Sequence, residues 1–420
     1  MTIDLAQYLC RGDRITWGQT CAEPTTLVET LLRQADRIGD LRCFVGIPAQ
    51  SALTIDTVPD GLDVHSYCGT GTNSALHAAG RLEIWPVNYS ALPALLSGGD
   101  FHAEVVFVQV SPPDELGRHS LGLADDYFSA AIDTARVVIA EINDQVPFTL
   151  GARTMTADQF TTAIDVSRTP GEVPTPATDD VSRAVARRVG ELVPDGATLQ
   201  FGIGALPEAV LAELFGHRDL GIHSGIINDT AMRLVEAGVA NGSRKTHDRG
   251  VAIAGLFGGT RDLFGWAHRN PAVELRPTAY THDPRVLATS HRMVAINAAI
   301  EVDLTGQINA ELAASRYVGA VGGARDFLRG ANRSEGGVPI VAVPSTVRTR
   351  SGARVQRIVS RLSGPVSTPR SEGLVVVTEH GAADLRGATL SQRVERMIAI
   401  ADPDHRAELD ANADHVLASV

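Results

Sequence analysis

The chain has 420 residues, 44% hydrophobic and 20% charged, the balance of a folded globular protein rather than a disordered or fibrous one. A formal net charge of −12 and no run of five Lys or Arg exclude a nucleic-acid partner bound by a basic face. No apolar stretch approaches the ~20 residues of a membrane span, no basic-then-apolar leader opens the chain, and the four cysteines (10, 21, 43 and 68) form no C-x-x-C. We therefore expect a cytoplasmic protein with reduced thiols and no membrane partner. The length exceeds what a single core usually supports, so two domains are expected.

In chain order, residues 1–50 hold a helix-like start, then a helix from Pro24 to Ile38 with Leu27, Leu31, Leu32 and Ala35 at helical spacing. R-C-F-V-G-I-P reads as a short buried strand. A strand-and-turn unit ending at Cys68–Asn73 leads into a helix, and Leu82–Asn88 reads as a strand. The continuous apolar run Glu104–Val110 predicts a strand buried on both faces of a parallel sheet. Helix Tyr127–Thr134 and strand Arg136–Ile142 follow, and this alternation argues for an α/β half. A linker rich in Pro, Thr and acid lies between about Arg168 and Asp180. Beyond it, Gln200–Gly204, Leu220–His223, Val251–Leu256, Met293–Asn297, Pro339–Val343 and Leu374–Thr378 are predicted strands. The expected domains are 1–170 and 180–420, two related open α/β halves.

Several stretches carry chemistry. F-G-I-G-A-L-P at Phe201–Pro207 is a strand, a glycine turn and a helix start, with Pro207 suited to the first turn. Such a turn brings backbone N–H groups and the helix dipole toward an anion, although the same turn also serves simply to pack a helix on a strand. Leu220–His223 runs into Ser224-Gly225, where parallel sheets place ligands. Glu301 and Asp303 stand two apart, on one side of a strand, as paired carboxylates or as the solvated face of an edge strand. V-G-G-A-R-D-F-L-R (Val321–Arg329) is a second glycine turn, with Arg325 and Arg329 able to meet phosphate or solvent. No zinc or calcium spacing, G-x-S-x-G, P-loop or full G-x-G-x-x-G occurs, so no metal site is expected.

Taken together, V-Q-V-S-P-P-D-E-L-G-R-H-S-L-G, G-I-G-A-L-P, D-L-G-I-H-S, N-P-A-V-E-L-R-P, I-N-A-A-I-E-V-D-L-T-G-Q-I-N-A, V-G-G-A-R-D-F-L-R-G-A and V-V-T-E-H-G-A-A-D-L-R-G resemble the acetyl-CoA hydrolase/CoA-transferase family, in its order and over roughly residues 80 to 410. The resemblance is close to its 4-hydroxybutyrate and butyryl-CoA:acetate CoA-transferase branches. The resemblance implies two α/β halves packed on each other with an acyl-CoA site between them, no permanently bound cofactor, and a homodimer or higher homo-oligomer. It implies that Gly202, Ile203, Gly204, Ala205, Leu206 and Asn297 contact coenzyme A. It also implies that Gly322 and Gly323 are backbone donors to the reacting carbonyl. In the family a glutamate carboxylate attacks the thioester and carries CoA between two acids.

The family pattern I-H-[ST]-E-x-x-[ST]-D-G reads here I-H-S-G-I-I-N-D-T, so Gly225 stands at the nucleophile position and Thr230 replaces a glycine. Ala324 stands where transferases often have Gln. Three readings follow. In the first, water attacks a CoA thioester, or a C–C bond beside a ketone in a CoA-linked substrate, activated by a base drawn from Glu301, His223, Asp229 and Glu115, with Glu301 first. In the second, another carboxylate sustains CoA transfer. In the third, the chain binds CoA without catalysis.

Overall fold

The computed structural model describes residues 3–48, 52–349 and 352–418. Its contacts divide the chain into two units, one of Met1–Pro174, Ser224–Met232 and Val251–Asp283, the other of Thr175–His223, Arg233–Gly250 and Pro284–Val420. This differs from a single cut between 170 and 180: residues 224–232 and 251–283 group with the N-terminal residues. Backbone hydrogen bonds account for the grouping, because Asp125 N donates to Gly255 O, Phe257 N to Leu123 O, Arg269 N to Phe148 O and Leu275 N to Leu150 O.

The first unit is built on seven parallel strands: β1 Arg14–Trp17, β2 Leu41–Val45, β3 Leu62–Ser66, β4 Leu82–Ile84, β5 Val105–Val110, β6 Val137–Asn143 and β7 Thr162–Val166, in the order β4-β3-β2-β1-β5-β6-β7. The chain direction of build-up reverses between β1 and β5, a switch point of the doubly wound kind. All six residues of β5 are buried, as its unbroken apolar run requires. Trp17 on β1 stacks on Phe107 of β5, with ring centroids 6.3 Å apart. Central strand β1 was not expected. Its four residues are too few for a period to show, and the helix-like start around it is only the short turn Leu5–Gln7.

Helix α1, Thr25–Ile38, lays Leu27, Val28, Leu31 and Ala35 into the core, each large side chain contributing about 1.5–3 kcal/mol of burial. Its N-terminus has no local side-chain cap. The carboxylate of Glu141, fully buried on β6, accepts the Leu27 N–H at 3.0 Å instead, satisfying one of the donors a helix start leaves open.

The second unit holds β8 Thr198–Phe201, β9 Gly221–Ile222, β10 Met293–Ala298, β11 Val338–Ala342, β12 Val375–Thr378 and β13 Gly381–Asp384, in the order β9-β8-β10-β11-β12-β13. All pair in parallel except the β12–β13 hairpin. The α/β class expected from the alternation therefore holds for each unit. Leu287, Met293, Val341, Val376 and Met397 belong to one apolar cluster beneath this sheet. Glu301–Asp303 is a short strand of a separate three-stranded sheet, and both acids are buried, not on a solvated face. Asp303 is taken up by its own turn, accepting from Thr305 N, Thr305 Oγ1, Gln307 N and Gln307 Nε2.

One position in the first unit is intolerant of any side chain. A Cβ on Gly46, just past β2, would collide with Gln19 Oε1 and Tyr127 Oη. Gly46→Ala should cost about 1–3 kcal/mol through overpacking, read as a lower denaturant midpoint at unchanged m-value.

Candidate active site

Parallel pairing brings the carboxyl ends of β8, β9, β10, β11 and β12 to one edge of the second unit's sheet. At the end of β8, Gly202 N donates to Ile296 O, and Gly204 takes a φ of 116°, open to glycine and strained for other residues. Helix α2, Ala205–Glu213, then starts without a side-chain cap, with Pro207 in its first turn. The N–H groups around Gly204, Ala205 and Leu206 form a helix N-terminus able to meet an anion, and Ile203 beside them is exposed. Asn297, near the end of β10, exchanges amide hydrogen bonds with Gln200 of β8 at 2.9 and 3.3 Å. His223 follows β9 and is buried. Gly322 (φ 58°) and Gly323 precede the helix Ala324–Arg333, again uncapped by a side chain. Arg325 on that helix pairs with Glu372 at 3.1 Å rather than standing free for phosphate.

Two carboxylates of this unit are candidates for acid–base chemistry. Glu301 is 6% exposed. Its Oε1 accepts from Asn309 Nδ2 (3.0 Å), Ser363 N (2.6 Å), Ser363 Oγ (3.0 Å) and Gly364 N (3.1 Å), and its Oε2 from Ser363 Oγ (3.1 Å). Glu379 stands directly after β12, with its side chain 15% exposed. Its Oε2 accepts Ser345 N at 2.9 Å and its Oε1 accepts Ser345 Oγ at 2.6 Å. Ser345 itself lies just beyond β11 and is buried.

In the first unit, Gly225 is half-buried and its carbonyl accepts from Gly255 N and Leu256 N. Its φ lies outside the left-handed region. Asp229 is buried, and its carboxylate accepts from Thr260 N (3.1 and 3.3 Å) and Thr260 Oγ1 (2.7 Å). It thus holds the turn that begins the helix Arg261–Ala267. Glu115 is exposed on the turn after β5, where Asp114 takes the loop's hydrogen bonds, its carboxyl lowered to about 2 chiefly by hydrogen bonds from the Arg118 side chain and backbone.

At the carboxyl ends of β1, β2 and β3 the same unit holds a closed polar cluster. Gln19 Oε1 accepts from Tyr67 Oη and Ile47 N, and Gln19 Nε2 donates to Tyr89 Oη (2.6 Å) and Asp126 Oδ2 (2.8 Å). Tyr89 stacks on His282, with centroids 4.8 Å apart. Burial pushes the Asp126 carboxyl up to about 7, against the hydrogen bonds from Gln19, Phe128 N and Tyr89. The same burial raises the phenols of Tyr67, Tyr89 and Tyr127.

Two domain descriptions match the chain: the acetyl-CoA hydrolase/transferase N-terminal domain over residues 2–157 and the C-terminal domain over residues 259–413. The 4-hydroxybutyrate coenzyme A transferase of Clostridium kluyveri is 34% identical over 404 residues, 94% of this chain and 92% of that protein. This chain belongs to the acetyl-CoA hydrolase/transferase family. Solved structures of similar proteins include RipA from Yersinia pestis, with a TM-score of 0.90 at 32% identity covering 98% of this chain and 96% of that one. Another is the 4-hydroxybutyrate CoA-transferase of Porphyromonas gingivalis, with a TM-score of 0.81 at 34% identity covering 98% and 95%.

Within this acetyl-CoA hydrolase/transferase chain, the second unit gathers Gly202–Leu206, Asn297 and His223 at one sheet edge. Gly225 and Asp229 belong to the first unit, and the backbone passes from one unit to the other between His223 and Ser224. Sequence reasoning missed Glu379, Ser345, Gln19 and Asp126. For Glu379 the signal was present: an acid directly after the apolar run V-V-V-T, the same place in a strand that drew attention to Ser224-Gly225. Among the described residues no group of three or more His, Cys, Asp or Glu is arranged to hold a metal ion, and no helix is long and apolar enough to cross a membrane.

Two outcomes follow. Asp229→Ala should cost about 1–3 kcal/mol, by leaving the Thr260 donors unmet. If Asp229 only braces that turn, turnover per folded molecule should change less than about threefold; general-base catalysis is worth about 10²–10⁴-fold. Denaturant melts and steady-state kinetics separate the two. For Asp126, the folded value of about 7 lies above the ordinary 3.8. The stability its proton confers is complete below about 3.8 and is lost as pH rises through about 7. Asp126→Asn keeps a neutral side chain and should therefore flatten the fall in Tm between about pH 4 and 7. Buried Glu23, also raised to about 7, gives the same sign in both proteins and cancels in the comparison.

Proposed function

We propose that the chain hydrolyses an acyl-CoA thioester, with water in the role that a glutamate plays in the family pattern. The observation that carries the reading is Gly225 within I-H-S-G-I-I-N-D, where no carboxylate is available to form a glutamyl–CoA intermediate. A base takes a proton from water as its oxygen attacks the thioester carbon. Backbone N–H groups of the glycine turns at 202–206 and 322–323 suit the developing oxyanion. Collapse of the tetrahedral intermediate expels the CoA thiolate and leaves a carboxylic acid. No cofactor beyond the CoA thioester enters this chemistry.

Glu379 and Glu301 are the base candidates. Glu301 offers one oxygen already taken by four donors, while each oxygen of Glu379 accepts a single hydrogen bond from Ser345 and its side chain is more open. That favours Glu379 as the base and Glu301 as a residue that shapes the loop at Ser363. His223 and Asp229 rank below both. Catalysis in a homo-oligomer is part of the same reading, by likeness to the family.

A second reading rests on the relatives. The Clostridium kluyveri protein is named a CoA-transferase, at 34% identity over nearly its full length. Under that reading another carboxylate, with Glu379 first, carries CoA between two acids.

The test follows acetyl-CoA and longer acyl-CoAs with and without acetate, measuring free CoA and the protein's mass. Release of CoA without acetate and without a protein adduct is the expected result. Exchange that needs acetate and leaves CoA on the protein would sink the hydrolase. In the hydrolase, Glu379→Gln should lower turnover about 10²–10⁴-fold with CoA affinity retained; equal loss in Glu301→Gln alone would reverse the ranking. Gly225→Glu places a carboxylate on backbone that accepts a side chain and should bring acetate-dependent exchange.

A further inference from the structure

At the carboxyl ends of β5 and β6 the first unit has a cavity of about 340 Å³ that none of the chemistry above uses. It lies in the volume range of small-molecule sites, and in the place where parallel sheets present them. Gly225 precedes the short strand Ile226–Ile227, whereas the cavity is built around the helix Arg261–Ala267, past the far end of the strand paired with it. The cavity combines two kinds of surface. Phe148 and Phe264, both buried, supply flat apolar faces together with Pro112 and Pro147. The rim carries Arg269 and His268.

Arg269 is held unusually. Its φ of 52° places a non-glycine residue in the left-handed region, a conformation that needs support from its surroundings. Its N–H donates to Phe148 O, and its guanidinium lies over the Phe148 ring, 5.2 Å from the centroid. Among the described residues, no carboxylate pairs with that guanidinium. Stacking on a ring occupies the guanidinium's face and leaves its in-plane N–H donors pointing outward, the arrangement that binds a carboxylate in two-pronged fashion. His268 Nδ1 accepts the Phe148 N–H at 3.1 Å, so the neutral ring carries its proton on Nε2, a further donor. The one acid of the lining, Asp144, has Gln145 Nε2 on its Oδ1 at 2.9 Å. Arg261, also on the lining, is spent on Thr169 and, more distantly, Glu172.

We propose that this cavity binds a small organic acid with a planar apolar body, an aryl carboxylate, its ring against Phe148 and Phe264 and its carboxylate on Arg269. The proposal rests on residues of the first unit and does not depend on which reaction the chain performs.

The experiment is calorimetric titration of the full chain with benzoate, alongside benzyl alcohol and inorganic phosphate. Two variants locate the binding. Arg269→Gln removes the charge at an exposed position. Gly265→Leu adds a side chain on the cavity lining where a Cβ meets nothing within 4 Å, so it fills the space without crowding the fold. One saturable benzoate site is expected, at least tenfold weaker in each variant, with benzyl alcohol and phosphate each at least tenfold weaker than benzoate. Acyl-CoA turnover without benzoate should be unchanged in both variants. Absence of benzoate binding, binding unaltered by both variants, or phosphate binding as tightly as benzoate would each overturn the proposal.

Discussion

Parallel strand pairing is the constraint on which the rest of this protein depends. Parallel neighbours cannot be joined by tight hairpins, so every connection must cross back over a sheet face, usually through a helix. All strands then release their chains at the same edge. In the second unit that edge receives the Gly202–Leu206 turn, Asn297, His223, Ser345 and Glu379, which are separated in sequence by up to 177 residues yet follow strands that are neighbours in one sheet. In the first unit it receives Gln19, Gly46 and Tyr67 near the switch between β1 and β5, and the lining of the Phe148–Arg269 cavity farther along.

The chemistry at those edges is set by how each polar group's lone pairs are used. Four carboxylates, three of them buried and Glu379 partly exposed, behave differently for this reason. Glu141 caps a helix that has no local cap. Asp229 ties a turn to Thr260. Glu301 gathers donors from Asn309 and the Ser363–Gly364 backbone. Glu379 accepts from Ser345 N and Oγ, has His380 Nε2 3.6 Å from its Oε1, and is the most open of the four. A buried charge persists when donors compensate its lost hydration, and greater exposure sets Glu379 apart from the other three. Asp126 shows the other outcome, in which burial outweighs three donors and pushes the carboxyl to about 7.

Glycine marks two different demands at these edges. At Gly204 the backbone conformation itself excludes most side chains, and the turn needs that freedom to aim N–H groups outward. At Gly46 space is the reason, because Gln19 and Tyr127 occupy the volume a methyl group would need. Gly225 does not share Gly204's demand, because its φ lies outside the left-handed region.

The α/β class, the strands with long apolar runs such as β5 and β12, the glycine turn at Phe201–Pro207 and the family are legible in the residues alone, because each is written in contiguous residues whose local period or motif survives any tertiary context. It also exposed Gly225, since matching residues flank that position on both sides. Long-range pairing settles the remainder. Four-residue β1 is too short to carry a period, yet pairing places it at the centre of a sheet. Segment 251–283 follows hydrogen bonds to residues more than a hundred positions away, and 224–232 follows it through bonds at Ile253, Gly255 and Gly258, which no local pattern records. Which acids are occupied and which are open depends on donors brought from other strands, Ser345 to Glu379 and Thr260 to Asp229. The cavity at Phe148 exists because Arg269, distant in sequence, is anchored over that ring by a backbone hydrogen bond. Local pattern fixes what a segment is; long-range pairing fixes what it meets.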